Sequence, residues 1–281
     1  KNKKNLSNSL TIKLKDLNLL TKIKFGSSET KKDSVSGKIF IKKDKNRISG
    51  TFDFKDNQIN INSINLRNSF LDGKIGGKII FNPFFDFNLD LELNSLNFNK
   101  LSNLIFNLNK ENKRNLFRIS NKINGKLNLF TAKVFSKHTL VNSFESKIQF
   151  TNGDILVDRL ILSLGKLGAA DINGIVKNSK KYTNFKFENN IFIDNTKRFY
   201  NKFGIFNKSK DPSSLYVKGN LDLVKLNLDL YEIFTNEKVN PNDIEFIEKE
   251  FNNIILSEGY KGLFSFSNLK EFIKAIASEN N

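Results

Sequence analysis

A chain of 281 residues with a formal net charge of +17 and 38% hydrophobic residues can hold one large domain or two ordinary ones, and its basicity raises nucleic acid or anionic lipid as a partner. Lys, Asn, Ile and Phe dominate, all residues of A/T-rich codons, so a biased genome is a competing source of that charge. Zero Cys excludes disulfides, thiol catalysis and Cys-based zinc sites. The absence of Met leads us to expect a processed product or a fragment of a longer protein, and no run of about 18 apolar residues offers a membrane-spanning helix.

No apolar core follows the Lys1–Lys4 opening, which excludes a signal peptide there. From Leu6 to Phe25, Leu10, Ile12 and Leu14 alternate and Leu17 and Leu19 run out of phase, which predicts one strand with a slip. Ser27–Gly37 reads as a polar loop, and Lys43–Asn46 as the turn of a hairpin. Asp72-Gly73 and Gly76-Gly77 read as tight reversals or bulges, and Pro83 suits a strand start.

The segment Phe52–Leu66, "FDFKDNQININSINL", recurs as Ile148–Leu162, "IQFTNGDILVDRLIL", with Phe54 falling on Phe150, 96 positions on. Ile59, Ile61, Ile64 and Leu66 of the first copy become Ile155, Val157, Leu160 and Leu162 of the second. Both copies alternate with period two, and both skip a beat, at Asn62-Ser63 and at Asp158-Arg159, which predicts a shared β-bulge or corner. A second strand type has Phe85, Phe87, Leu89, Leu91 and Leu93 in phase, then Leu96 and Phe98 one residue late, a slip at Asn94-Ser95. Its counterpart, "LDLVKLNLDL", has Leu221 and Leu223, then Leu226, Leu228 and Leu230, with the slip at Val224-Lys225. Two recurring strand types predict an elongated, repetitive β architecture.

After Phe98 the period changes: Leu101, Leu104, Ile105 and Leu108 predict a short amphipathic helix, and "NKENKR" a solvated connector. Strands resume at "KINGKLNLF", "TLVNSFESKIQF", "DINGIVKN" and "TNFKFENNIFI". "NTKRFYNKFG" predicts one or two helical turns ending at Gly204, "NKSKDPSS" a loop, and "LYVKGNLDLVKLNLDL" a return to strand. Asn240-Pro241 then gives an N-cap with Pro at the first helical position, and Ile244, Ile247, Phe251, Ile254 and Ile255 form one face up to a stop at Gly259. "GLFSF" reads as a short strand, and Ser267 as the cap of a terminal helix whose apolar face is Leu269, Phe272, Ile273 and Ile276.

These elements predict a mainly β fold: an elongated, twisted antiparallel sheet curled into a groove, with a few short helices and a helical C-terminal segment. Residues 1–36 would form leading strands and a polar loop, 37–110 a first β repeat ending in a short helix, 111–210 a second β repeat, and 211–281 closing strands with the C-terminal helices.

Catalysis finds little support. His138 is the single His, no nucleophile-elbow sequence accompanies it, and it reads as a surface residue of "FSKHTL". Asp154 and Asp158 share a strand face but flank a turn and a bulge, so structural roles suit them better than acid/base work. "GKIGG" lacks GxGxxG spacing, and no cofactor or metal is expected. The apolar stripe carries the functional reading instead. Ile59, Ile61, Ile64, Leu66, Phe85, Phe87, Leu89, Leu91, Leu93, Ile155, Val157, Leu160, Leu162 and Leu164 are expected to line one surface for acyl chains. Asn60, Asp90, Glu92 and Asp158 occupy the opposite phase and would be costly to bury unpaired. Leu156 and Ile161 break the pattern, which predicts a helix or the C-terminal segment over the outer face of the second copy. Few helices precede Asn240, so a one-sided sheet is left needing a ligand or partner. Nucleic acid is not expected, because the Phe residues mostly alternate inward with Leu and Ile.

The stretches "VSGKIFIKKDKNRISGTFDFKDNQININSINLRNSFLDGKIGGKI" and "KINGKLNLFTAKVFSKHTLVNSFESKIQFTNGDILVDRLILSLGKLGAADINGIV" resemble the repeats of AsmA-like proteins. So does the G-x-L-x-L and D-L-x-x-L pattern of "GNLDLVKLNLDLYEIF" (Gly219–Phe234) and, less closely, "LELNSLNFNKLSNLIF". The likeness covers most of Gly37 to Phe234, and TamB-like membership stays open beside it. The resemblance implies phospholipid movement between membranes, or outer-membrane homeostasis, in the periplasm of a Gram-negative bacterium. It also implies a tether to the inner membrane through a helix beyond this chain, and envelope proteins as further partners. The alternative is an envelope scaffold or assembly factor that carries no lipid.

Overall fold

The computed structural model describes residues 8–27, 34–109, 111–112, 115, 117–136, 138, 140–179 and 183–279. The first strands are β1 (Asn8–Leu14), β2 (Leu19–Ser27), β3 (Val35–Lys43), β4 (Asn46–Lys55), β5 (Gln58–Arg67), β6 (Leu71–Ile80) and β7 (Phe85–Asn97), followed by helix α1 (Phe98–Phe106). Then come β8 (Ile123–Thr131), β9 (Val134–Phe135), β10 (Ser143–Thr151), β11 (Asp154–Ser163), β12 (Gly168–Asn178) and β13 (Thr183–Ile193). Helix α2 (Thr196–Lys202), β14 (Ser213–Asp222) and β15 (Asn227–Phe234) lead into the helical segment. That segment holds α3 (Pro241–Glu250), a π-helical turn (Phe251–Ile255), α4 (Tyr260–Leu263) and α5 (Phe266–Glu279).

All fifteen strands join one sheet in sequence order, with β9 set aside on β7, and the sheet does not close into a barrel. The fold is mainly β, with 55% of residues in strands. Its order follows from the turns. Asp56-Asn57 and Asn152-Gly153 all have positive φ and join strands across two residues, the tight reversal that matches strand twist. These two turns lie 96 positions apart, and the pairing around them repeats. Thr51 faces Ser63 and Phe52 faces Ile61, just as Lys147 faces Arg159 and Ile148 faces Val157. The predicted slips at Asn62-Ser63 and Asp158-Arg159 are therefore bulges, and the slip at Asn94-Ser95 is a third, since β7 skips Asn94 between Leu93 and Ser95 in its pairing with β6.

Several expectations are corrected. The sheet is mixed rather than wholly antiparallel: β7 runs parallel to β8 and β9, so the chain must cross over between them, which it does through α1 and the residues after it. Leu10 to Phe25 is a hairpin of β1 and β2, not one slipped strand, because Leu17 sits in the turn; Leu6 lies outside the described residues. Val224-Lys225 is the turn between β14 and β15, held by the Asp222 carboxylate accepting from both amides, and the bulge falls at Tyr231 instead. "GLFSF" is not a strand, since α4 occupies its first part, and Ser265 rather than Ser267 caps α5 by accepting from the Asn268 amide at 3.3 Å. Asp72-Gly73 and Gly76-Gly77 lie inside β6 and reverse nothing; of the two expected alternatives they are the bulge sites, Asp72-Gly73 at the register shift against β7 and Gly76-Gly77 at the one against β5. Of the expected polar loop Ser27–Gly37, Ser27 ends β2, Val35–Gly37 begin β3 and residues 28–33 lie outside the described residues, as does part of "NKENKR".

A core enclosed by helices lies toward one end. Leu228, Ile255, Leu256 and Phe272 pack with Phe187, Leu221 and Leu230 of β13–β15 and with Ile247, Phe251 and Leu269 of the helices. The helical segment was thus placed correctly by its amphipathic spacing, and the core it closes lies over the last three strands.

Candidate functional site

Directly paired residues in a ladder point to the same side of a sheet, so the registers decide which side chains share a face. Leu10 faces Ile23, Ile23 faces Ile39, Ile41 faces Ile48 and Ile48 faces Leu66. Phe54 faces Ile59, Phe52 faces Ile61, Ile64 faces Ile75 and Ile75 faces Leu91. Across the parallel junction Leu89 pairs with Leu127 and Leu91 with Leu129. Beyond it Ile148 faces Leu127 and Val157, Phe150 faces Ile155, Leu160 faces Ile172, and Phe185 faces Val176 and Leu221. One predominantly apolar face therefore runs from β1 to β15. The bulges keep it in phase: without the extra residues near Asn62, Asn94 and Asp158, the second half of each strand would turn its hydrophobic set to the other side.

The expected stripe residues divide by exposure. Ile59, Ile61, Ile64, Leu66, Phe87, Leu89, Leu91, Ile155, Val157, Leu160, Leu162 and Leu164 are half-buried, and Phe85 is exposed. Leu93 is buried at 4%, beside Leu96 where the chain enters α1, so it belongs to packed interior. Leu164 lies just past β11, its amide donating to the Gly168 carbonyl at 2.9 Å. Leu10, Ile12, Leu14, Phe25 and Phe54 extend the same face and are exposed. Thr131 and Ser146, both buried, and Asn189 interrupt it with small polar groups.

Aromatic rings lie over gaps in this face. Phe87 and Phe150 sit in strands separated by β8, yet their ring centroids are 5.4 Å apart because Gly125 lies between them. A Cβ on Gly125 would come within 2.6 Å of the Phe87 ring. Phe81, Phe85 and Phe87 continue the row, with centroids 6.0 and 6.2 Å apart, and Phe185 stacks on Phe187 at 5.5 Å.

The opposite face is mostly polar, and several of its groups pair with one another. Ser36 donates to Asp53 (2.6 Å), Asn128 to Asp90 (2.7 Å) and Gln149 to Asp158 (2.5 Å), and Arg159 and Lys218 form ion pairs with Asp171 (3.2 Å) and Glu188 (2.9 Å). Leu156, 38% exposed, stays uncovered on this side, which corrects the expected outer cover: the helical segment packs on the apolar side, against Phe187, Leu221 and Leu230. Asp154 accepts from the Asn178 amide at 3.1 Å, a structural role.

Where the apolar face meets the helices there is a pocket of about 490 Å³, within the size range of small-molecule sites. Phe144, Leu160 and Leu162 of the sheet form its floor, and Phe98, Leu263, Phe264, Phe266 and Leu269 come from helices and turns around it. His138 lies at its margin, exposed and stacked on Phe266 at 4.6 Å. Leu160 and Leu162 were expected in the stripe. Phe144 was legible as well, being in phase with Ile148 and Phe150, whereas the Leu263–Leu269 contribution has no local signal. Among the described residues no helix is long and apolar enough to cross a membrane, and no cluster of His, Asp and Glu could hold a metal ion. Comparison with protein-family models, with curated proteins and with solved structures finds no match to this chain.

Proposed function

We propose that this chain is a lipid-binding segment whose apolar face holds acyl chains and lets them move along it, a binding role rather than a catalytic one. The observation that carries the reading is the single register-locked apolar face, half-buried through its middle and exposed toward β1, with the helical segment standing over its second half, from β10 and β11 onward. Burial of an acyl chain of about 16 carbons is worth on the order of 12 kcal/mol at ~0.8 kcal/mol per CH₂, enough to hold lipid without any specific polar contact. The pocket shares Leu160 and Leu162 with the stripe, so a chain sliding along the face reaches a recess walled by the helical segment.

The curl of the sheet belongs to this proposal, with the apolar face inward. Glycine supports it: within strands, Gly37, Gly50, Gly73, Gly77, Gly125, Gly168, Gly174 and Gly219 lie on the apolar face, against Gly26 and Gly76 on the other. Side chains converge on the inner side of a bent sheet, so missing side chains are useful there. The periplasmic location, the inner-membrane tether and the AsmA-like relationship remain parts of the same proposal, resting on the resemblance of the repeats.

Mass spectrometry of the purified chain should find phospholipid or another acyl lipid bound to it. Leu91→Asp should lower the bound lipid severalfold while the chain keeps its far-ultraviolet circular dichroism, because a half-exposed position lets the new carboxylate stay hydrated. Lipid-free protein that copurifies with a tight protein partner would instead favour the scaffold reading. Unfolding by Leu91→Asp and by Asp at Ile61 and Val157 alike would make the stripe a closed core.

A further inference from the structure

We propose that the outer edge of β1 takes up, by strand addition, an extended polypeptide segment in which apolar residues alternate with Asp and Glu. The inference is independent of whether the apolar face carries lipid.

The two edges of the sheet are treated differently. At β15 the Asn252 side chain accepts the Leu228 amide (2.8 Å) and donates to the Leu228 carbonyl (3.1 Å), standing in for a neighbouring strand. Glu248 Oε2 accepts the Leu230 amide (2.8 Å), and the returning chain adds a bond from the Val239 amide to the Ile233 carbonyl (3.0 Å). That edge is closed. At β1 nothing comparable is present among the described residues. Its seven residues are all exposed, pair only with β2 in uninterrupted register, and include no Pro, Gly or bulge of the kind that protects an edge.

The side chains define what would pair there. On one side Leu10, Ile12 and Leu14 are 48%, 43% and 45% exposed and would continue against apolar residues of an added strand. On the other side Lys13 joins Lys22, Lys24, Lys38 and Lys42. Lys24 stands directly opposite Lys38, and Lys42 opposite Arg47, pairings that repel. Among the described residues none of these lysines has an ion-pair partner, so the basic side of this edge is unneutralised. A second copy pairing through its own β1 would bring two such basic sides together. An acidic strand would relieve them, and the sheet already contains that arrangement: β7 presents Asp86, Asp90 and Glu92 on its polar side, and Glu92 lies opposite Lys74 of β6. Main-chain bonds would supply affinity and the alternating side chains specificity.

The test uses the full chain and a fluorescent peptide of the β7 sequence Phe85–Leu93, with a counterpart whose Asp and Glu are replaced by Lys. The acidic peptide should bind by anisotropy titration and slow amide hydrogen exchange within Asn8–Leu14. Combined Lys13→Glu, Lys22→Glu and Lys24→Glu, all at exposed positions, should weaken it about tenfold or more. Absence of binding, equal binding of the lysine peptide, or protection elsewhere than β1 would overturn the proposal. Protection of β1 by phosphatidylglycerol vesicles but not by the peptide would overturn it in favour of a lipid surface. A concentration-dependent dimer whose β1 amides are already protected would overturn it in favour of a second copy.

Discussion

Tyr260 ties the helical segment to the sheet through one proton. Its hydroxyl donates to the Leu223 carbonyl at the end of β14, and burial, followed by the nearby Asp222 carboxylate, raises its pKa above the ordinary 10.0. At neutral pH the phenol is protonated in both folded and unfolded chains, so its contribution is fully present. As pH climbs past the unfolded value the unfolded chain loses its proton first, and stability falls until the folded group titrates too. Tyr260→Phe should therefore lower the urea midpoint at pH 7, by the equivalent of about 1 kcal/mol, and flatten the decline between pH 9 and 11. An unchanged alkaline slope would show that the tyrosine does not couple the two parts. Nothing in the sequence marked this contact, because Leu223 and Tyr260 are brought together only by the path of the helices. By contrast, Asn240-Pro241 declared its cap locally, and Asn240 accepts from the Asp243 amide at 2.9 Å as that signature requires.

Strands were legible wherever the rule of alternation met a shared irregularity. The slips near Asn62, Asn94 and Asp158 could be read because the apolar phase resumes on the far side, as a bulge in a one-sided strand produces. The same logic failed at Val224-Lys225, where Leu226 has φ of 58° in a turn and mimics a resumed phase. It failed again at "GLFSF", where a short apolar run does not distinguish strand from helix without its neighbours. The glycines belong with the bulges: Gly73 faces Leu93, Gly174 faces Val157 and Gly219 faces Leu230, each next to an extra residue, and Gly50 faces Ile64 one pair further from Asn62. A Cβ on Gly174 would meet the Lys186 carbonyl oxygen at 2.3 Å, whereas one on Gly76, on the polar face, meets nothing nearer than 3.7 Å. Gly174→Val is expected to cost about 1–3 kcal/mol through forced backbone shifts. Gly76→Ala is expected to be near neutral. Denaturant midpoints of the two variants decide it, and equal losses would contradict the crowding of the apolar face.

At the scale of the whole molecule, one sheet replaces the usual two packed layers over much of its extent. The stripe was visible in the sequence because its period is local. Its continuity was not, since that depends on fourteen registers and on the parallel junction between β7 and β8, neither of which a single strand announces. The pocket under Phe264 and Phe266 was invisible for the same reason. The proposed role requires lipid to lie along this one face. Site-resolved photocrosslinking tests it most directly, with a photoreactive phenylalanine placed in turn at Ile39, Leu91 and Leu160 and, on the polar face, at Lys38, Glu92 and Gln149. The chain would be loaded with radiolabelled phospholipid before illumination. Label at the three apolar positions and not at the three polar ones is the predicted result; label on both faces alike, or on neither, would contradict it.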